Sequence, residues 1–546
     1  MQNKRVYVAD FETTIRSDFA CVWLYSIVNT DNLEEIYYGY SIDQFMQFIY
    51  NLSPDIIYFH NLKFDGMYIV DYLLRSDYTT TENKALKDKE FSCLIGDLGQ
   101  FYSIVIQGNN NRIYIWDSMK IYNFSVKEIA ENFHLDISKG EIDYDMPRPE
   151  GYVPTKEEID YVSRDVLIVA QAIHIFRSKG YNKMTIASNA LSAYRSTIER
   201  GKFRDYFPEL NAIQDDFCRR AYRGGFTYVN PKYQDKPIKE GSVYDINSMY
   251  PWALYNCPMP YGQPKYFCGK APEGMLYIRH FYVEYFHIKK DYIPTIQLKN
   301  NWRFKDTEYL TEGEEIDLYL TNVDYELFKE HYDYDGLIEL EGFAFNSKIG
   351  MFKDYIDYYM QIKMESKGAD RQIAKLFLNG LYGKFGTKPE KRKKYPIMFE
   401  NKIKMIMGEK ESTGSVYIPV ACFVTAWARD NIIRNAQKVY DRFIYCDTDS
   451  LHLVGFELPD IPIDDKKLGY YKQESLFRNG KYLRPKTYIE EIDGELSVKC
   501  CGMNKEIAKT VTQDNFYKGA VFEGKLIPKI VPGGVVLQST TFTIQN

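Results

Sequence analysis

The chain lacks a cysteine framework. Its nine cysteines form no Cys-x-x-Cys pair and no zinc-ligand spacing, and the adjacent Cys500 and Cys501 suit neither a disulfide scaffold nor a metal site. Such cysteines read as reduced thiols in a cytosolic compartment. No run of about 18 apolar residues occurs, so no membrane partner is expected. The opening MQNKRVYVAD is not a signal peptide. Repeats and low-complexity tracts are missing as well. So is an excess of basic charge: the formal net charge of −6 argues against a protein coated in nucleic acid. It leaves room for a local basic channel, because net charge does not report distribution.

What is present is material for several cores. The 546 residues are 45% hydrophobic, and the length suits three or four domains of about 100–200 residues. Aromatic residues make up 16% of the chain, which suits packing and also stacking on bases.

Carboxylates recur at the ends of apolar runs. RVYVADFETT reads as a buried strand that ends with Asp10 and Glu12 on one face. DIIYFHNLKFDGMYIVDYLL reads as strand, loop and helix, bringing Asn61 and Asp65 near the turn. In VPTKEEIDYVSRDVLIVAQAI, Thr155 and Glu158 have the spacing of a capping box. Tyr161 and Asp165 then share one face of the helix it starts. Taken singly, each motif fits an ordinary acidic surface as well as a site.

Further on, EGSVYDINSMYP ends a strand at Asp245, and Pro251 bars a central strand from continuing. FIYCDTDSLHLV places Asp447 and Asp449 one residue apart at a hairpin tip, where their repulsion calls for a neutralising cation. GADRQIAKLFLNGLYGKFG reads as a helix with Lys375, Asn379 and Tyr382 on one face and Arg371 a turn earlier. Gly368 permits the turn into it.

The order of these motifs carries a resemblance. The first three resemble the 3′→5′ proofreading exonuclease of DNA polymerases. DINSMYP, KLFLNGLYGKFG, YCDTDS, KTY (Lys486 to Tyr488) and the linker YRGGF resemble the polymerase motifs of family B. With LRPKTY and PGGVVLQSTTFTI, the whole chain resembles the protein-primed family B DNA polymerases of small bacteriophages, the phi-twenty-nine type. Gly380 departs from the pattern, where the family often has Ser.

The resemblance implies an α/β and α+β multidomain fold. A ribonuclease-H-like exonuclease domain (1–184) precedes a right-hand polymerase. The palm covers 185–253 and 414–502, the fingers 350–386 and the thumb 503–546. Two terminal-protein-region inserts cover 254–349 and 387–413. The second carries Lys391, Arg392, Lys393 and Lys394 and is compatible with a turn at KEST-G; a solvated loop is the plainer reading.

It also implies roles. Asp10, Glu12, Asp65 and Asp165 would hold two divalent metals ~3.5–4 Å apart. Tyr161 would orient the attacking water, and Lys139 would steady the scissile phosphate. Thr13, His60, Asn61, Phe64, Tyr68, Ser118 and Tyr144 would hold a frayed 3′ strand. Asp245 and Asp449, assisted by Asp447, would hold the polymerase metals. Tyr250 would reject a 2′-hydroxyl, Lys363 and Lys375 would bind nucleotide phosphates, and Arg371, Asn379 and Tyr382 would complete the nucleotide site. Lys486 and Tyr488 would hold the primer end, and Tyr222, Gly224 and Gly225 the template. The expected cofactor is Mg2+, two ions per site, with Mn2+ as a substitute. Expected partners are template-primer DNA, dNTPs and a terminal protein primer. The expected state is a monomer in the cytoplasm of an infected bacterial host. The alternative from another class is a catalytically silent nucleic-acid-binding homologue; a stand-alone exonuclease would leave most of the chain unexplained.

Overall fold

The computed structural model describes residues 4–14, 18–82, 85–108, 111–143, 146, 148, 151–297, 309–412, 414 and 416–545. Tyr144 lies outside them.

The N-terminal sheet is mixed. The strand Val6–Thr13 runs antiparallel to Val22–Asn29 and parallel to Ile56–Phe59, which is parallel in turn to Arg112–Asp117. Strand periodicity assigns its two faces. Val6, Val8, Ile56 and Tyr58 pack toward the helix Lys156–Ser178. Tyr7, Ala9, Ile57 and Phe59 pack toward the helix Leu62–Arg75. Burial on both faces explains why these strands read as nearly continuous apolar runs. The long helix starts where expected: Thr155 and Glu158 form a reciprocal capping box, worth about 1 kcal/mol.

The second sheet has seven strands, with Pro237–Ile246 central between Ser450–Val454 and Tyr471–Arg484. Phe443–Asp447 and Ser450–Val454 pair across a two-residue turn, and Thr448 there adopts φ +62°. Pro251 falls in the first turn of the helix Met249–Asn256, where a missing N–H costs nothing. The helices Lys353–Glu365 and Gly368–Phe385 pack together. Gly368 has φ +55°, and a Cβ there would stand 3.0 Å from the carbonyl of Phe133, so both the turn and the close approach need glycine. Residues 259–348 supply a separate four-stranded sheet.

The second insert differs from a solvated loop. It is a hairpin of Glu390–Phe399 and Lys402–Ser412, with its tip at Glu400 and Asn401 rather than at KEST-G. Lys393 and Lys394 pair through their backbones with Gly96 and Ile95, so the hairpin extends the N-terminal sheet. Arg75 donates to the Asn401 carbonyl at 3.1 Å, and Ile403 enters the N-terminal core. The C-terminal hairpin, Val521–Val531 with Gly534–Thr543, reaches the same domain, where Tyr68 Oη donates to Val535 O at 2.6 Å.

Candidate active sites

Asp245, Asn247, Ser248, Tyr250, Lys363, Arg371, Lys375, Asn379, Tyr382 and Asp449 line one cavity of about 440 Å³. Register explains how distant segments meet there. Asp245 pairs with Ser450, and Ile246 N donates to Asp449 O at 2.8 Å. The Tyr250 and Tyr382 rings lie 4.1 Å apart. Lys363 Nζ donates to Ser248 Oγ at 2.8 Å, and Arg371 donates to the Lys363 carbonyl at 2.7 Å.

Burial, then Asp449 and Glu474, push the Asp245 carboxyl up to about 7; Lys375 and Lys363 oppose this through space. Burial is also the first cause that raises Asp449 to about 6, with Asp447 and Glu474 adding to it. Burial, Lys375 and Arg371 lower Lys363. The cavity therefore sets two mutually repelling carboxyls opposite crowded cations. Glu474 acts on both carboxyls from outside the cavity lining, and sequence reading missed it. It is the extra residue of a bulge, since Tyr244 pairs with Gln473 but Val243 with Ser475. A bulge turns a side chain off its regular face, and YKQES carries no sign of one.

Asp447, expected to assist Asp245 and Asp449, also has a cationic partner of its own. Its carboxylate accepts from Lys486 Nζ at 2.6 and 2.8 Å, from Thr227 Oγ1 at 2.9 Å and from Tyr445 Oη at 3.2 Å. Lys486 supplies a counter-charge to it, and Asp447 is not among the residues lining the cavity. The Tyr488 ring packs 5.1 Å from Tyr445. Gly225 backs this turn: a Cβ there would meet Thr448 Oγ1 at 2.5 Å. Gly224 O accepts from Arg429, whose guanidinium also forks onto buried Asp324 at 2.8 and 3.0 Å. Tyr222 closes the preceding helix. Arg429 escaped sequence reading because its partners, Asp324 and the Gly224 carbonyl, lie about a hundred or more positions away.

In the N-terminal domain, Asp10, Glu12, Asp65 and Asp165 are brought within mutual influence. Burial and then Asp165 raise Asp10 to about 7. Burial and then Asp10 raise both Glu12 and Asp65. Lys139 pairs with Asp165 Oδ2, while buried Asp165 Oδ1 has no hydrogen-bond partner. Lys139 also lies 5.5 Å from the ring centre of Tyr161. Among the described residues no three carboxylates, imidazoles or thiols already meet as a metal cage. Even so, buried repelling oxygens and an orphaned carboxylate oxygen are the donor chemistry that a hard cation takes.

The predicted strand-binding residues divide. Phe64 lines a groove of about 400 Å³ with Asn61, Lys394 and Val535, and its ring centre stands 5.9 Å from that of Tyr68. The Tyr68 hydroxyl is taken by Val535 O, with Thr13 beside it. Asn61 holds φ +79°, with its N–H bound to Asp117 Oδ1 at 3.1 Å. His60 and Ser118 are spent internally. His60 Nδ1 is 2.9 Å from Ser118 Oγ, and its Nε2 is 2.7 Å from Phe124 O. Ser118 is fully buried and donates to Phe59 O at 3.1 Å. Through these bonds both side chains brace the turn. In the hairpin, Lys391 and Arg392 are exposed, Lys393 pairs with Glu411, and Lys394 reaches the groove.

The profile of DNA polymerase type B, organellar and viral, matches residues 47–150 and 146–468. The DNA polymerase of Bacillus phage Nf is 42% identical over 575 residues, with 100% of each chain covered. Phi29 DNA polymerase complexed with primer-template DNA superposes with a TM-score of 0.95 at 41% identity, covering 99% of this chain and 100% of that one. Its ternary complex with incoming nucleotide substrates gives 0.94 at 41% identity, with the same coverage.

Proposed function

The chain belongs to the type B DNA polymerases, organellar and viral, and on that premise we propose how its residues divide the labour of a replicative, proofreading, protein-primed enzyme. The observation that carries the reading is the cavity uniting Asp245 and Asp449 with Tyr250, Lys363, Arg371, Lys375, Asn379 and Tyr382. Asp245 and Asp449 form the metal pair of synthesis; Asp10, Glu12, Asp65 and Asp165 form that of excision. In each site these carboxylates would hold divalent ions, Mg2+ or in its place Mn2+, which would supply Lewis-acid activation of an oxygen nucleophile and charge neutralisation at the phosphoryl group.

The protein's own groups do the rest. Lys363, Arg371 and Lys375 receive the triphosphate, and Asn379 and Tyr382 present one helix face to the nascent base pair. Tyr250, held against Tyr382, occupies the space that a 2′-hydroxyl would need. Lys486, fixed by Asp447, meets the primer end beside Tyr488. Tyr222, Gly224 and Gly225 flank the template. In the excision site, Lys139 steadies the scissile phosphate, Tyr161 orients the water, and Thr13, Asn61 and Phe64 hold the frayed strand, with buried Tyr68 backing Phe64.

On this reading the domain limits are those expected from the sequence, and the second insert serves as an extra edge of the exonuclease sheet. Template-primer DNA and dNTPs are the substrates. The enzyme acts as a monomer in the cytoplasm of an infected bacterial host and starts chains on a protein hydroxyl. Incubation with a primed single-stranded circle, four dNTPs and Mg2+, followed by product sizing, tests the reading; full-circle or longer products are expected. No extension would leave the silent-homologue reading. A partner protein covalently labelled with dNMP is the expected sign of protein priming, and its absence from infected-cell lysate would remove that part alone.

A further inference from the structure

We propose that Glu490 and His452 are positioning residues for the primer end, acting through Tyr482, Tyr488 and Tyr445 on Lys486. The inference rests on Lys486 as the primer-end ligand proposed above. Glu490 and His452 are 3% and 2% exposed. Neither belongs to the nucleotide cavity. Glu490 Oε1 stands 2.8 Å from His452 Nδ1 and accepts the Tyr482 hydroxyl, which is itself 3.0 Å from His452 Nδ1. A polar triad so deep in the palm is costly unless each member is satisfied, and once satisfied it fixes one geometry. Apolar side chains would fill the same space.

The geometry is transmitted by rings. Tyr482 stacks on Tyr488 with centroids 5.1 Å apart and planes 15° apart. Tyr488 packs 5.1 Å from Tyr445 and 5.2 Å from His452. The Tyr445 hydroxyl then does two things. It accepts the Lys486 backbone N–H at 3.0 Å and donates to Asp447 Oδ2 at 3.2 Å. Lys486 sits at φ +59°, a region a lysine keeps only when its surroundings hold it. The buried triad is thus the far anchor of a chain whose near end orients the Lys486 ammonium against Asp447.

The test titrates dNTP against full-length enzyme on a primer-template and reads the concentration at which net extension replaces net degradation. Degradation of a single-stranded oligonucleotide reports on folding. Glu490→Leu should raise the crossing point about tenfold, while Glu490→Gln, which keeps an acceptor, stays within about twofold of wild type. Lys486→Ala should raise it too, and adding Glu490→Leu to it should raise it no further. A Glu490→Leu crossing point equal to wild type, or shifts that multiply in the double variant, would overturn the inference. An unshifted Lys486→Ala would instead refute the primer-end reading on which it stands. If Glu490→Leu loses single-strand degradation, His452→Gln takes its place, with the same shift expected and the same result overturning the inference.

Discussion

Asp447 and Asp449 stand one residue apart, yet they answer their repulsion in different ways. The turn directs Asp449 toward Asp245 in the cavity and gives Asp447 to Lys486. The pattern DTD announced paired charges and could not say which partner each would find, because a lysine 39 positions from Asp447 is invisible to local spacing. Burial holds Asp245 near 7 and Asp449 near 6. A divalent ion binds their ionised forms, so protons compete with it below about pH 7. The Mg2+ concentration for half-maximal synthesis should therefore fall as pH rises from about 6 to about 8 and level off above. Synthesis assayed at several Mg2+ concentrations and pH values checks this; a flat half-maximum across the window would contradict it. Tyr250 yields a separate expectation. Its ring is fixed by Tyr382 at 4.1 Å, so Tyr250→Val should open space beneath the sugar and improve rNTP use relative to dNTP by about tenfold or more. Single-site incorporation of each nucleotide measures the ratio, and an unchanged ratio would place the gate elsewhere.

At the scale of elements, local signals were legible where the physics is local. The capping box at Thr155, the turn at Gly368, the strand ending at Asp245 and the helix face of Lys375, Asn379 and Tyr382 all appear as read. Pairing across long separations was not legible. Nothing in KPEKRKKYPIMF says that it will add to the edge strand Glu90–Gly96, and that contact turns an apparent loop into sheet. Nor does the sequence of Ser118 or His60 reveal that their polar atoms are consumed inside the domain. The hairpin leaves Lys391 and Arg392 exposed. Replacing both with Ala removes charge without disturbing the backbone pairing of Lys393 and Lys394. Each lost phosphate contact should lower the slope of log affinity against log salt by about 0.7–0.9. Duplex binding from 50 to 200 mM salt, with product length beside it, measures this, and an unchanged slope would make the two side chains bystanders. Removing the whole hairpin is the poorer experiment, since Ile403 belongs to the exonuclease core.

At the scale of the molecule, two carboxylate clusters are built around different sheets of one chain, and separate groups raise each cluster's pKa values. Asp165 and Asp10 act on one; Asp449 and Glu474 act on the other. The central claim is that these clusters are two independent metal-dependent sites. It is tested most directly by measuring synthesis and 3′→5′ excision on one labelled, mismatched primer for Asp245→Ala and for Asp10→Ala with Glu12→Ala. Asp245→Ala should lose synthesis by several orders of magnitude and keep excision. The double variant should lose excision and keep synthesis, because two-metal chemistry fails without its ligands. Synthesis surviving in Asp245→Ala, or mismatch removal surviving in the double variant, would contradict it.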